Sequence, residues 1–339
     1  MYSNRPTTVT LLLALVALVA CMDNNPPPGR EVKTTLAATS SADADNELIK
    51  PFKNAGSSAL TTFALSAQQL NTRTREFLDN SNGEQLVLLQ QQWLATHRDW
   101  HRAAFYLQAG MPPAQWGSEL GDTCRSLHQP YLQAGYLDSI EGYPASGLVN
   151  DINLSITPQT LREQHQRFDD SEASTGLNAM EFEIWYHQAE DFGSKATDTS
   201  QQQLPEQRRR ALLALLGKLI EEDAQQLLNA WQLASIDNLQ AKNNRQLYQL
   251  LAIAELQFLL DSLAEPHTPF SQDTGWQLDL LENLQAQATA QGDDSTRRQL
   301  DSLLEQLTTS DVPDNTALAA ALLELLDVLQ AASKPALDE

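Results

Sequence analysis

Apolar residues recur along this chain three and four positions apart, the spacing of helices that each bury one stripe. Ala, Leu, Gln and Glu fill the periodic segments, β-branched runs are scarce, and Gly and Pro gather where the period lapses. The pattern predicts helices at about 46–80, 84–109, 118–139, 159–168, 176–190, 205–233, 240–264, 273–291, 294–309 and 315–333. The stretches NSNGE and GMPPAQWG end two of them, and EGYPASGLVNDINLSITP reads as a long loop with two prolines. Composition shifts at GSKATDTSQQQLPEQ, residues 193–207. Most aromatics and five of the six histidines precede it, and plainer Leu/Gln/Ala helices follow. The expected fold is therefore all-α, with two packed helical-bundle halves at 45–200 and 201–339.

The first residues break this pattern. Arg5 precedes an apolar run, Val9 to Ala20, that is too short to span a bilayer and ends in LVAC with Cys21 last. A charged start, a short apolar core and small residues form the layout of an export signal. The Leu-Val-Ala-Cys ending resembles a bacterial lipobox, so residues 1–21 read as a lipoprotein signal with Cys21 as the lipid-carrying residue. Met22 after the cysteine points to the outer membrane, facing the periplasm. Residues 22–44 are rich in Pro, Ser, Asn and Ala and read as a flexible tether. No later segment is expected to cross a membrane; the apolar helix near the C-terminus reads as a core element.

A formal charge of −22 argues against nucleic acid as a partner, since such binding relies on neutralising phosphates. Two cysteines with Cys21 acylated leave Cys124 without an intrachain disulfide partner.

Candidate chemistry concentrates in the aromatic half. On a helical wheel of TGLNAMEFEIWYHQ, Glu181 falls about 40° from Leu177, inside the arc of Met180, Ile184 and Trp185, with Asn178 beside it. A carboxylate in an apolar arc must be paired, hydrogen-bonded, metal-bound or protonated. Glu183 and His187 fall on or near the opposite face. In LVLLQQQWLATHRDWHRAAF, His97 and His101 share the apolar arc of Trp93 and Trp100, and two histidines at i and i+4 can reach one metal ion. Arg98 and Arg102 lie towards the edge, placed to pair a carboxylate such as Glu181. Asp122, Asp138 and Glu141 near loops, and Cys124 with His128 at i and i+4, are weaker candidates. No Gly-rich phosphate loop, Gly-x-Ser-x-Gly turn or Cys-x-x-Cys pair is present.

GLNAMEFEIW resembles the Gly-x-His-x-x-Glu-Phe-x-x-Trp segment of the imelysin-like proteins, bacterial envelope proteins also catalogued as a peptidase family. The order of the Trp-rich helix, IEGYP, LIEEDAQQLLNAW and PFSQDTGWQLD is similar as well. The resemblance implies an all-α fold whose two halves share a cleft, and a link to iron uptake through a His-x-x-Glu metal segment. Glu181 matches the motif's glutamate and Gly176 its glycine, while Asn178 stands where the histidine should be. Asn is a poorer metal donor than imidazole, and a catalytic zinc site needs about three firm protein ligands. The reading is thus a binding protein without catalytic residues. Glu181, Asn178, Trp185, Arg98 and Trp100 border its ligand, and His97, His101 and Glu181 are its metal candidates for Fe, Cu or Zn. An envelope transport protein is the partner the resemblance implies. Two alternatives stand beside it. One is a metallohydrolase rebuilt on His97 and His101; the other is a structural or partner-binding protein in which Glu181, Asn178 and Arg98 fix helix register.

Overall fold

The computed structural model describes residues 42–111, 118–129, 132–193, 204–234, 243–264, 275–309 and 315–333, with a few isolated positions between 235 and 242. The signal, lipobox and most of the tether fall outside these residues, as does His267. The chain forms α1 (Ala42–Asp79), α2 (Gly83–Gly110), α3 (Ser118–Leu127), α4 (Ala134–Leu137), α5 (Pro158–Gln164) and α6 (Gly176–Tyr186). After these come α7 (Pro205–Leu233), α8 (Asn244–Ala264), α9 (Gly275–Ala290), α10 (Asp294–Thr309) and α11 (Asn315–Ser333). Among the described residues there is no strand, only an isolated bridge between Ile140 and Tyr143. The fold is all-α, as the periodicity predicts.

α1 packs between α2 and α7. Its stripe of Leu60, Phe63, Ala67, Leu70 and Phe77 is fully buried. Facing it on α7 are Leu212, Leu216, Ile220, Ala224, Leu227 and Trp231, all at 0% exposure. Each Leu, Ile or Phe among them is worth about 1.5–3 kcal/mol of burial. Two glycines let Trp231 into the core: a Cβ at Gly56 would stand 2.2 Å from its ring, and one at Gly110 2.7 Å. The indole N–H then donates to Lys53 O at 3.2 Å and Ser57 Oγ at 3.1 Å, so the polar end of this buried ring is satisfied. α7 follows the composition shift, yet it packs on α1, α3 and α6.

α8 to α11 form a second group joined through α8–α9, α8–α11, α9–α10 and α10–α11 contacts, with α8 and α9 also lying against α2. α11 differs from expectation in one respect. Its window Thr316–Ser333 has a mean hydropathy of 1.4 and is long and apolar enough to cross a membrane by length and composition. Leu318, Leu322, Leu325 and Leu329 nevertheless bury one stripe in the core, which is the role the sequence assigns it.

Three predicted helices are shorter than expected. The 118–139 segment divides into α3 and α4 around Pro130, because proline lacks the N–H a helix interior needs and pushes its predecessor out of helical conformation. α5 ends at Gln164, and Gln166 adopts φ 52°. α6 ends at Tyr186 and passes through His187 into a single 3-10 turn, Ala189–Phe192.

The long loop before α5 is held by buried cations at the start of α7. The Arg208 guanidinium donates to the carbonyls of Leu148, Val149, Asp151 and Leu154 at 2.6–2.8 Å. Arg210 donates to Gly193 O at 3.0 Å and to Leu78 O. Backbone carbonyls thus solvate charges that burial would otherwise make untenable.

Candidate functional site

α2 and α6 lie side by side in opposite directions. Trp93 Nε1 donates to Leu177 O at 2.9 Å, and Gln90 Nε2 to Ile184 O at 2.7 Å. α6 is buried from Gly176 to Ile184, on its polar side as well as its apolar one. Glu183, assigned to the outer face by the wheel, is in fact at 0% exposure. The reason is tertiary: α2, α3 and α7 all pack on this short helix, and the loop after α4 reaches its end.

Gly176 opens α6 at φ 89°, a conformation L side chains avoid. A Cβ there would stand 2.1 Å from Ser126 O, so the glycine allows α6 to start against the last carbonyls of α3. Asn178 continues this junction: its Oδ1 accepts the Gln129 backbone N–H at 3.1 Å. The side chain is 3% exposed, and its oxygen serves the α3–α6 contact.

One residue before Gln129 is His128, just past the C-terminus of α3, where the helix dipole favours a cation. His97, His101 and His128 each bring a ring nitrogen within 4.8 Å of the others. The Nε2 atoms of His97 and His101 are 3.2 Å apart. Two nitrogens bound about 2.0–2.1 Å from one tetrahedral ion stand roughly 3.3 Å apart, so the pair already has the separation of shared ligands. Indoles hold the rings. His97 stacks on Trp93 (4.7 Å, 13°) and His101 on Trp276 (4.2 Å, 8°), while Trp100 lies 6.1 Å from the His128 ring. His97 and His101 are 4% and 6% exposed, and His128 is half-buried. A cavity of about 150 Å³ adjoins the group, lined in part by His101, His128, Cys124, Phe258 and Asp261. Burial pushes the Cys124 thiol up to about 12, so it stands there as a neutral thiol.

The structure therefore brings His97, His101 and Trp100 together as the sequence suggests and adds His128, which the i, i+4 pair with Cys124 only hinted at. Trp185 joins indirectly, edge-on to Trp93 at 5.1 Å. Glu181 is 1% exposed on the same stretch of α6 but is not a member of the three-imidazole group. Arg102 bonds Asp99 and Asp279, and Arg98 acts electrostatically on Asp99. Burial raises the Asp99 carboxyl, and a hydrogen bond from Ser66 and then the two arginines partly offset it.

Fold and site together define a class: an all-α bundle with an aromatic-walled group of three histidines whose ring nitrogens converge. The chain belongs to the imelysin family, whose model (Peptidase_M75, Imelysin) matches residues 57–322. No curated protein matches it.

Proposed function

We propose that this protein is a cell-envelope lipoprotein that binds a divalent metal ion through His97, His101 and His128 and serves metal uptake without catalysis. One observation carries the reading: three imidazoles converge within 4.8 Å, two of them with Nε2 atoms 3.2 Å apart. Neutral nitrogen donors of this kind suit Zn²⁺, Cu²⁺ or Fe²⁺ over Mg²⁺ or Ca²⁺. The envelope assignment rests on the Arg5, Val9–Ala20 and Cys21 layout, and the iron link rests on the family.

The size of the cavity favours an ion over a larger ligand. About 150 Å³ leaves room for an ion's small exogenous ligand, well short of the roughly 300–1,000 Å³ that drug-sized molecules occupy. That size supports a bare ion over a metal–organic complex or a peptide. The peptidase reading retains one favourable feature, an opening beside three histidines, which is how catalytic zinc keeps a free position. Among the described residues its walls, with Trp100, Leu107 and Phe258, are short and apolar, which weighs against a peptide substrate.

His97 and His101 are fixed by their indole stacks, and His128 enters from the end of α3, so an ion ties α2 to α3. Asn178 acts as a positioning residue that holds the 128–129 peptide. Titration of the protein, purified without a His tag, with Zn²⁺, Cu²⁺ and Fe²⁺ tests this against His128→Gln. Micromolar or tighter binding by the wild type, weakened at least tenfold by the substitution, is expected. Equal affinity in both proteins would overturn the proposal.

A further inference from the structure

A second group lies at the other end of α6, clear of the three histidines in sequence and built from different chemistry. Asp138, Glu183 and His187 each offer one ligand atom, all within 4.8 Å of one another. His187 Nε2 is 3.3 Å from Asp138 Oδ2 and 4.0 Å from Glu183 Oε2. The side chains of Asp138 and Glu183 are at 0% exposure and that of His187 at 7%.

Three features distinguish this group from a chance cluster of acids. Both Glu183 oxygens are buried with no hydrogen-bond partner among the described residues, and Oε2 stands 4.0 Å from His187 Nε2. A carboxylate deprived of solvent and partner in this way carries a penalty of several kcal/mol unless a cation or proton joins it. His187 is also oriented as a ligand would be. Its Nδ1 faces the Asp191 carboxylate at 3.9 Å, and that carboxylate is itself held by the Gln188 N–H at 2.8 Å. At 3.9 Å the carboxylate acts on the ring through its charge rather than as a hydrogen-bond acceptor, and favours the N–H on Nδ1. Finally, Asp138 is fixed from outside. Its Oδ1 accepts from Ser139 N at 2.6 Å and Asn150 Nδ2 at 3.3 Å, and Oδ2 accepts from Arg209 Nε at 2.5 Å. Ligating carboxylates are commonly anchored by such outer contacts.

We propose that Asp138, Glu183 and His187 form a structural site for a first-row divalent cation such as Zn²⁺, Mn²⁺ or Fe²⁺. Two carboxylates and one imidazole match those ions, whereas the nitrogen disfavours Ca²⁺ and Mg²⁺. Ligands about 2.0–2.2 Å from one ion lie roughly 3.3–3.6 Å apart, so Asp138 and His187 at 3.3 Å are in place, while Glu183 at 4.0 Å from His187 must move closer. The carbonyl end of α6 and the second carboxylate balance the charge of Arg209 beside the site. Phe182, Tyr186 and Phe192 wall His187 with ring centroids 5.3–6.3 Å away. The ion ties the end of α6 to the loop after α4, and through Arg209 to α7. Because the ligands are buried, it is taken up as the chain folds.

The competing reading is a proton in place of the ion. Burial, then the Asp138 charge, pushes the Glu183 carboxyl well above its usual range. Counting ions separates the two. The protein is unfolded with chelator, refolded with Zn²⁺, dialysed and analysed for zinc, beside Glu183→Gln, His187→Gln and the pair His97→Ala/His101→Ala. Two ions per chain are expected in the wild type and one in each variant, with the His97/His101 variant keeping the ion at Asp138. Full wild-type content in both Glu183→Gln and His187→Gln would overturn the site. Should those variants misfold, zinc-edge anomalous diffraction on wild-type crystals decides. A peak among Asp138, Glu183 and His187 supports the proposal, and an empty map there refutes it. A chain with an ion only at the histidine group, or only here, tells the failure of one site from that of the other.

Discussion

Replacing Glu255 with Gln should make the protein more stable at neutral pH, by an amount that grows with pH. Glu255 lies on α8 at 0% exposure, and burial lifts its carboxyl from 4.5 to about 8, against a smaller opposing hydrogen bond from Asn283. Between those values the folded chain holds a proton that the unfolded chain releases. Stability from this group is therefore fully present below about pH 4.5, declines as pH rises, and levels off above about 8. At pH 7 the gap from 4.5 is about 2.5 units, which at about 1.4 kcal/mol per unit is about 3 kcal/mol. Relaxation around the carboxyl trims this, so a gain of about 1–3 kcal/mol is expected for Glu255→Gln, whose amide keeps the shape without the proton. Urea unfolding of both proteins at pH 5, 7 and 8 measures it. Other titrating groups cancel in the difference. A difference that stays constant across the three pH values, or a variant less stable at pH 8, would refute the assignment of Glu255 as a buried neutral acid.

Further outcomes follow from the same geometry. Gly176→Ala places a Cβ against Ser126 O at a positive φ and should cost about 2 kcal/mol or more in thermal unfolding; an unchanged Tm would mean the α3–α6 junction yields easily. Arg208→Met strips four loop carbonyls of their donor and should cost about 3 kcal/mol, with limited proteolysis cutting first between residues 138 and 154. With its thiol pushed up to about 12 and the residue 8% exposed, Cys124 should resist iodoacetamide at pH 8 in the folded protein and react once it is unfolded.

The long helices were legible because their periodicity comes from burying one stripe, and α7, α10 and α11 begin and end as the pattern places them. α3 and α4 were merged because their apolar spacing runs on past Pro130, where local chemistry outweighs the period. The site was legible in part. His97 and His101 stood out as polar residues in an apolar arc of a single helix. His128 completes their group from just beyond the end of another helix, and no spacing within one segment reports that. Glu183 was misplaced for a related reason. A wheel assumes one face towards solvent, and α6 has none over most of its length. Nothing in the local sequence separates the arginines at 208–210 from surface charge at a helix start, yet they are buried and donate to backbone carbonyls in the fold.

The central claim is that three imidazoles share one ion, and X-ray absorption at the metal edge tests it most directly. The protein would be purified without a His tag, carrying Glu183→Gln to silence the second group, and loaded with one equivalent of Zn²⁺. The account predicts three nitrogen scatterers at about 2.0–2.1 Å with the outer-shell signature of imidazole, lost in His97→Ala/His101→Ala. A shell of oxygen alone, or zinc that dialyses away, would contradict it.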